Sequence, residues 1–366
     1  MDTRTRDRNK ITKSGLQSGK IPHYRLYQNW AERPEYEVNI PSHARPEDLC
    51  NTTLPFLRDH GVNMTRVNIF VDIAWTDHRG VDAMTLYSQC LRSRGFHEVH
   101  VRRGAAGLEG NMQQAWAFFD IGTYVITMSD RVNNVLEFVR GTGQHGRKRP
   151  LAKGSLLAVW HHAYDLMTSG GFAAWSSNAS HSAMCMHERR LSRKAGLLDG
   201  NMTGQIVTSA IRHLQVSHGL IYDVEYAARL WCAGLRFVRY EMLCCKHTYR
   251  SAGGQSTLYP NPEVRRAAED AAIRSVAQDC PGVLTWRSKP RATLRVMQYT
   301  FKTLGPQPWM LKKRSGSGQG RPLEYFASRP ATHAERQAKM RLRKRKSKTI
   351  IGNIKKRPAC CATTGL

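Results

Sequence analysis

The chain has 366 residues, with 56 Lys and Arg against 28 Asp and Glu and a formal net charge of +28. At 41% hydrophobic and 23% charged it has the make-up of a folded protein, which excludes wholesale disorder, and no run of eighteen apolar residues exists to span a membrane. The first twenty residues are polar and basic and lack the apolar stretch of a secretion signal, so an intracellular protein is expected.

The body of the chain alternates strand and helix patterns. Residues 36–42 (YEVNIPS) read as a first strand, and a helix opens at Pro46 with Glu47 and Asp48 in its first turn, where the helix dipole favours acids. Residues 66–71 (RVNIFV) give a second strand. A helix from Val81 places Met84, Tyr87 and Leu91 on one face and stops at Gly95. A third strand is expected over 97–101, a helix over 110–119 and a fourth strand over 124–127. Farther on, Asp223-Val224-Glu225 opens a helix in which Val224, Ala227, Ala228 and Trp231 keep helical spacing up to Gly234, and 236–245 reads as one strand. Alternation of this kind predicts a mostly parallel sheet with helices on both faces, and ligands collecting beyond the carboxyl ends of its strands.

The ends of the chain differ from its body. Residues 305–321 are rich in Gly, Pro and Ser and read as a linker, and residues 336–357 hold eleven Lys and Arg with no acid. The expected organisation is a basic extension over 1–34, a folded domain over 35–304, and a linker with a basic, disordered tail over 305–366. Residues 311–366 carry sixteen basic and two acidic side chains, half of the total excess, while 21–310 keep +10. A polyanionic partner is the natural inference, since every Lys or Arg set against a phosphate releases condensed counterions. Nine cysteines without Cys-x-x-Cys spacing read as reduced thiols, mostly in the core.

Several strand-end segments carry a family resemblance. They are Ile40-Pro41-Ser42-His43-Ala44-Arg45-Pro46, Thr53-Leu54-Pro55-Phe56-Leu57, Ile69-Phe70-Val71-Asp72, the Gly107–Asn111 loop and Met128-Ser129-Asp130-Arg131-Val132. Ala174-Trp175-Ser176-Ser177-Asn178, Tyr222-Asp223-Val224-Glu225-Tyr226 and His247 before Ser251-Ala252-Gly253-Gly254 follow in the same order. Over roughly residues 36–255 the chain resembles the TET-associated glycosyltransferases, a GT-A-fold group linked to modified DNA bases.

The resemblance implies a nucleotide-sugar donor held by Pro41, Ser42, Arg45, Asp72, Asn111, Arg131, Trp175 and Asn178. Within that set it implies that Asp72 binds the base or ribose, that Trp175 forms an apolar wall beside the sugar and that Asn178 reads a hydroxyl. It places the general base at Asp223 or Glu225, and residue type alone leaves both open. It implies a divalent ion, Mn²⁺ or Mg²⁺, at Asp130 and His247; yet Asp130 stands alone where the family has an acidic cluster, so Arg131 is an alternative source of positive charge. Gly253-Gly254-Gln255 is expected to act as a lid. The expected partner is DNA, with a hydroxylated base as acceptor, in host cytoplasm for a phage protein or in the nucleus for a eukaryotic one. Two other readings stay open: a transferase acting on protein or glycan, and a non-catalytic DNA-binding derivative of the fold.

Overall fold

The structure is a computed structural model that describes residues 34–139, 147–180, 186–187, 190–194, 196–247, 259, 261–289 and 296–301, the last of these and 285–289 as backbone only. Contacts divide the chain into two units, Met1–Leu304 and Gly305–Leu366, and every described residue belongs to the first. The basic extension up to residue 33, the Gly253–Gln255 lid and the basic tail therefore lie outside the described residues.

In chain order the first half consists of β1 (Glu37–Ser42), a helix α1 over residues 46–59, β2 (Val67–Val71), α2 (Ala83–Ser93), β3 (His100–Arg103), α3 (Gly107–Phe118) and β4 (Tyr124–Met128). Next come β5 (Val132–Val139), β6 (Arg147–Pro150), α4 (Ser155–Gly170), β7 (Ala174–Ser177), β8 (Leu191–Ser192) and β9 (Met202–Ile206). The rest is α5 (Ser209–Arg212), α6 (Tyr222–Cys232), β10 (Phe237–Tyr240), β11 (Leu243–His247), α7 (Pro262–Asp279) and the hairpin β12 (Leu284–Lys289) and β13 (Val296–Phe301). Eight strands form one sheet in the order β3-β2-β1-β4-β9-β7-β10-β8. The β1, β2, β3 and β4 ladders and the β7–β10 pair are parallel, while β9 runs antiparallel between β4 and β7 and β8 antiparallel beside β10. The expected α/β class with a mostly parallel sheet is what the chain adopts.

Alternation along each strand gives the sheet two different faces. Val38, Ile40, Val67, Ile69, Val71, Ile126, Met128, Met202, Trp175, Val238 and Tyr240 point to one side, into the main core under Leu49, Leu54, Tyr87, Leu91 and Trp160. The other side is covered by α3 and α6 through Met112, Trp116, Tyr226 and Leu230. Across it runs a row of polar residues in register, Asn68, Asn39, Thr127, Thr203 and Ser176, all buried. Helices thus lie on both faces, as expected.

Several boundaries differ from the sequence reading, each for a local reason. Pro55 has no amide hydrogen and its ring crowds the carbonyl four residues back, so α1 widens into a π-type turn over Leu49–Thr53 before continuing as Leu54–Asp59. The third strand starts at His100 rather than 97, because Gly95 ends α2 at φ +71° and Phe96, itself buried, sends its amide back to the Leu91 carbonyl at 2.8 Å. The helix expected from residue 110 begins at Gly107. Residues 236–245 are two strands in two sheets: β10 stays in the large sheet, the chain turns at Glu241-Met242, and β11 pairs with β5 in a small antiparallel sheet of order β11-β5-β6. The Trp175 segment is itself a strand, β7, with Trp175 at its second position. All six described cysteines are free thiols, four of them buried.

Candidate functional site at the carboxyl edge of the sheet

The parallel strands β1, β2, β3, β4, β7 and β10 all end on the same edge, and the antiparallel β9 starts there. Polar side chains gather at this edge in two groups.

The first group closes over the end of β1. Ser42 donates from its Oγ to Asp130 Oδ2 at 2.7 Å and lies 2.6 Å from the Tyr87 hydroxyl. The Tyr87 hydroxyl also accepts the Arg45 amide at 3.0 Å, and the Arg45 guanidinium faces Asp130 Oδ1 at 3.6 Å. All four are buried. Burial pushes the Asp130 carboxyl above the ordinary range, against the opposing pull of Arg45, the Ser42 hydrogen bond and Arg131. Between His43 and Arg45 the backbone is held at φ +57° on Ala44, the one described non-glycine residue with positive φ. A left-handed alanine costs about 1 kcal/mol, a strain that persists where neighbouring contacts fix the chain, as they do on either side of it here.

Asp72, at the end of β2, joins three segments. Its Oδ1 accepts the Ala74 amide at 2.9 Å, and its Oδ2 accepts the Gly107 amide at 3.0 Å and meets His43 Nδ1 at 3.0 Å. One amide of the first turn of α3 is therefore already satisfied by a carboxylate, as the helix dipole favours. Gly104 stands beside this knot for steric reasons: a Cβ there would come 1.7 Å from Asn111 Oδ1 and 2.8 Å from the Val71 carbonyl. Asn111 is 2% exposed and its Oδ1 has no hydrogen-bond partner within the described chain, the condition of an acceptor waiting for a donor.

The second group forms where β9 enters the edge. Asp199 accepts a hydrogen bond from Ser177 Oγ, and also the Asn201 amide at 3.0 Å and Asn201 Nδ2 at 2.7 Å. The Asn201 carbonyl receives the Ser129 amide at 3.0 Å, which ties this group to the first. The loop packs on the first turn of α6 at Gly200, where even a Cβ would meet Asp223 Cβ at an ordinary contact distance of 3.5 Å. Asp223 is half-buried and caps the Val224 amide at 3.0 Å. Burial pushes its carboxyl up to about 6, and the negative charges of Asp199 and Glu269 add to that rise.

The sequence-selected residues divide accordingly. Ser42, Arg45, Asp72, Asn111, Asp130 and Asp223 meet at the edge, and Pro41 lies one residue inside it on β1. Glu225, the other candidate base, does not join them. It is 0% exposed and accepts the Ser217 amide at 3.0 Å, the His218 amide at 2.8 Å and Arg229 Nε at 2.9 Å, so both oxygens are committed to holding the loop before α6. Trp175 is no wall of a pocket: its ring is fully buried in the main core, its Nε1 donates to the Tyr124 hydroxyl at 2.8 Å, and Gly204 opposite it leaves the room it needs. Asn178 sits just past β7, where its amide bonds the Leu243 carbonyl at 2.7 Å and its Oδ1 takes the Ser180 amide at 3.0 Å, a turn-stapling role. His247 ends β11 opposite Val132, which sets it beside the Asp130-Arg131 turn.

As a site for Mn²⁺ or Mg²⁺ the donor set is poor. Asp130 already faces a guanidinium and a hydroxyl, and among the described residues no three His, Cys, Asp or Glu side chains come together as a metal site. His43, Tyr87, Ser177, Asp199 and Asn201 belong to the site without having been assigned a role in it from sequence. Asp199-Gly200-Asn201 carried the one usable signal, a turn tripeptide directly before a strand.

No protein-family profile matches the chain, and no curated protein does. Among solved structures it is similar to glucosyl-3-phosphoglycerate synthase from Mycobacterium tuberculosis, determined with Mn²⁺, UDP and glucosyl-3-phosphoglycerate, at TM-score 0.36 and 12% identity over 76% of this chain and 90% of that one. It is also similar to a mycobacterial protein at TM-score 0.35 and 11% identity, over 80% of this chain and 91% of that one. Likeness this distant assigns neither a family nor an activity.

Proposed function

We propose that the chain is a GT-A-type glycosyltransferase that moves a sugar from a nucleotide-sugar to a hydroxylated base in DNA. The observation that carries the reading is the juxtaposition at one sheet edge of a buried arginine centre, Arg45 with Ser42 and Asp130, and a carboxylate raised towards neutrality, Asp223 beside Asp199. Transfer needs those two things. The acceptor hydroxyl must lose its proton as its oxygen bonds the anomeric carbon, and a group titrating near neutrality and open to solvent on one side is suited to take it. The bond from that carbon to the diphosphate oxygen breaks in the same event, and the departing negative charge needs a fixed positive one, which Arg45 and Arg131 supply. Asn111 Oδ1, buried and without a hydrogen-bond donor among the described residues, suits a hydroxyl of the nucleotide-sugar.

The DNA acceptor is supported by charge, +28 overall and still +10 over residues 21–310, because backbone contacts give affinity without sequence preference. A base inside a duplex would have to be flipped out to reach the edge. One observation favours the non-catalytic reading instead: Asp130 is paired with Arg45 rather than set among other acids. Incubation with a panel of nucleotide-sugars and hydroxymethylated DNA, followed by nucleoside mass spectrometry, separates the possibilities. A base heavier by one sugar is expected. Turnover only with protein or glycan acceptors would replace the DNA acceptor, and no turnover of any donor would leave the non-catalytic reading.

A further inference from the structure

The small sheet carries a strongly basic edge. Strand β6 is Arg147-Lys148-Arg149-Pro150, exposed at every position. Register places Arg147 opposite Val139, Lys148 opposite Phe138 and Arg149 opposite Glu137, to which Arg149 is bonded through Nε at 3.1 Å and an amino nitrogen at 2.9 Å. On the other side of β5, the exposed Lys246 stands opposite Asn134. One face of the sheet therefore presents Lys246 and Lys148 around Asn134 and the half-buried Leu136 and Phe138, while Arg147 projects from the edge on the opposite face.

This strip is continuous with the candidate site. β5 begins at Val132, directly after Asp130-Arg131, and its far end is held just past β10, where the Phe138 amide bonds the Met242 carbonyl at 2.8 Å, so the strand runs along the carboxyl edge of the large sheet. From Val132 to Phe138 the strand covers about 20 Å at ~3.3 Å per residue. That length matches about six phosphates of one DNA strand at ~3.4 Å each. Lysine, arginine and proline on an edge strand also prevent sheets from joining edge to edge, so basic residues there have an ordinary explanation. That explanation asks for charge on the edge, and does not ask that the charge lead to a candidate active site.

We propose that the β5–β6 hairpin with Lys246 is a docking surface for duplex DNA, contacting the phosphate backbone through Arg147, Lys148 and Lys246 and delivering the acceptor base to the sheet edge. This inference rests on the DNA acceptor proposed above. Arg149 is left to its Glu137 pairing.

The test uses the full chain with Arg147→Gln, Lys148→Gln and Lys246→Gln together, which keeps polar side chains and removes only charge. Binding to a duplex is measured across a salt series, alongside hydrolysis of the nucleotide-sugar in the absence of DNA. Loss of three phosphate contacts should reduce the slope of log affinity against log salt by about 2.7, with donor hydrolysis unchanged. An unchanged slope overturns the proposal, and an unchanged slope accompanied by new self-association assigns the charges to edge protection. If the triple variant proves unstable, Lys148→Gln alone should still lower the slope by about 0.9, and its failure to do so has the same meaning. Should the wild type bind DNA with the full slope yet never modify it, the transferase reading fails while the docking surface stands.

Discussion

The first turn of α6 sets two acids in opposite situations. Glu225 is fully buried, yet two backbone amides and Arg229 surround its carboxylate, so its charge is compensated and immobile. Asp223, two residues earlier, is more open to solvent; backbone amides alone donate to it among the described residues, that of Val224 at 3.0 Å, and the negative charges of Asp199 and Glu269 stand near it. Burial alone does not decide what a carboxylate can do; the donors around it do. Glu225 holds a loop in place, whereas Asp223 is kept close to the point where it can exchange a proton.

Asp223→Asn breaks that contrast from one side and carries the largest expected effect. Turnover should fall by about 10²- to 10⁴-fold with donor affinity nearly intact. Stability should move the other way. The folded state holds the Asp223 proton up to about pH 6, whereas an unfolded aspartate releases it near pH 4. Its contribution is therefore greatest below about pH 4 and is lost as pH rises through about 6, and an uncharged amide should raise the melting temperature at pH 7.5. A melting point that drops together with activity would make Asp223 a structural residue.

Glu225→Gln breaks the contrast from the other side. Removing one charge of a buried pair costs about 3 kcal/mol, seen as a lower denaturation midpoint, while turnover per folded molecule stays near wild type in the cold. Trp175→Phe should follow at about 1–3 kcal/mol from the lost indole volume and its bond to Tyr124, with KM for the donor unchanged. A raised KM would return Trp175 to the pocket. Asp199→Asn has the smallest effect on rate but sharpens the comparison most. With that negative charge gone, the acid limb of the pH–rate profile should move to lower pH, and a limb that does not move would mean that Asp199 has no influence on the base.

Much of the α/β half of the fold was legible in the sequence because strand and helix periods alternate cleanly between Glu37 and Met128. The β10–β11 break was not, since Phe237–Tyr240 and Leu243–His247 are both largely buried strands and only the turn at Glu241-Met242 separates them. In the site, strand-end position puts Ser42, Asp72 and Asp130 at the carboxyl edge, at or just past the ends of β1, β2 and β4. Strand parity decides against Trp175: it shares its face with Val238 and Tyr240, so it points into the core. Asp199 was hidden because its role depends on Ser177 and Asp223, 22 and 24 positions away, one at the end of β7 and the other in the first turn of α6. The choice between Asp223 and Glu225 likewise needed the loop at Ser217-His218, which no local pattern reveals.

The central claim, that the edge at Ser42, Arg45 and Asp130 receives a nucleotide diphosphate, is tested most directly by calorimetric titration of nucleoside diphosphates into wild-type protein and Arg45→Ala in the presence of chelator. The account predicts binding of at least one of them without metal, weakened tenfold or more, about 1.4 kcal/mol, by Arg45→Ala. Binding that appears only with Mn²⁺ and is indifferent to Arg45, or no binding under any condition, would contradict it.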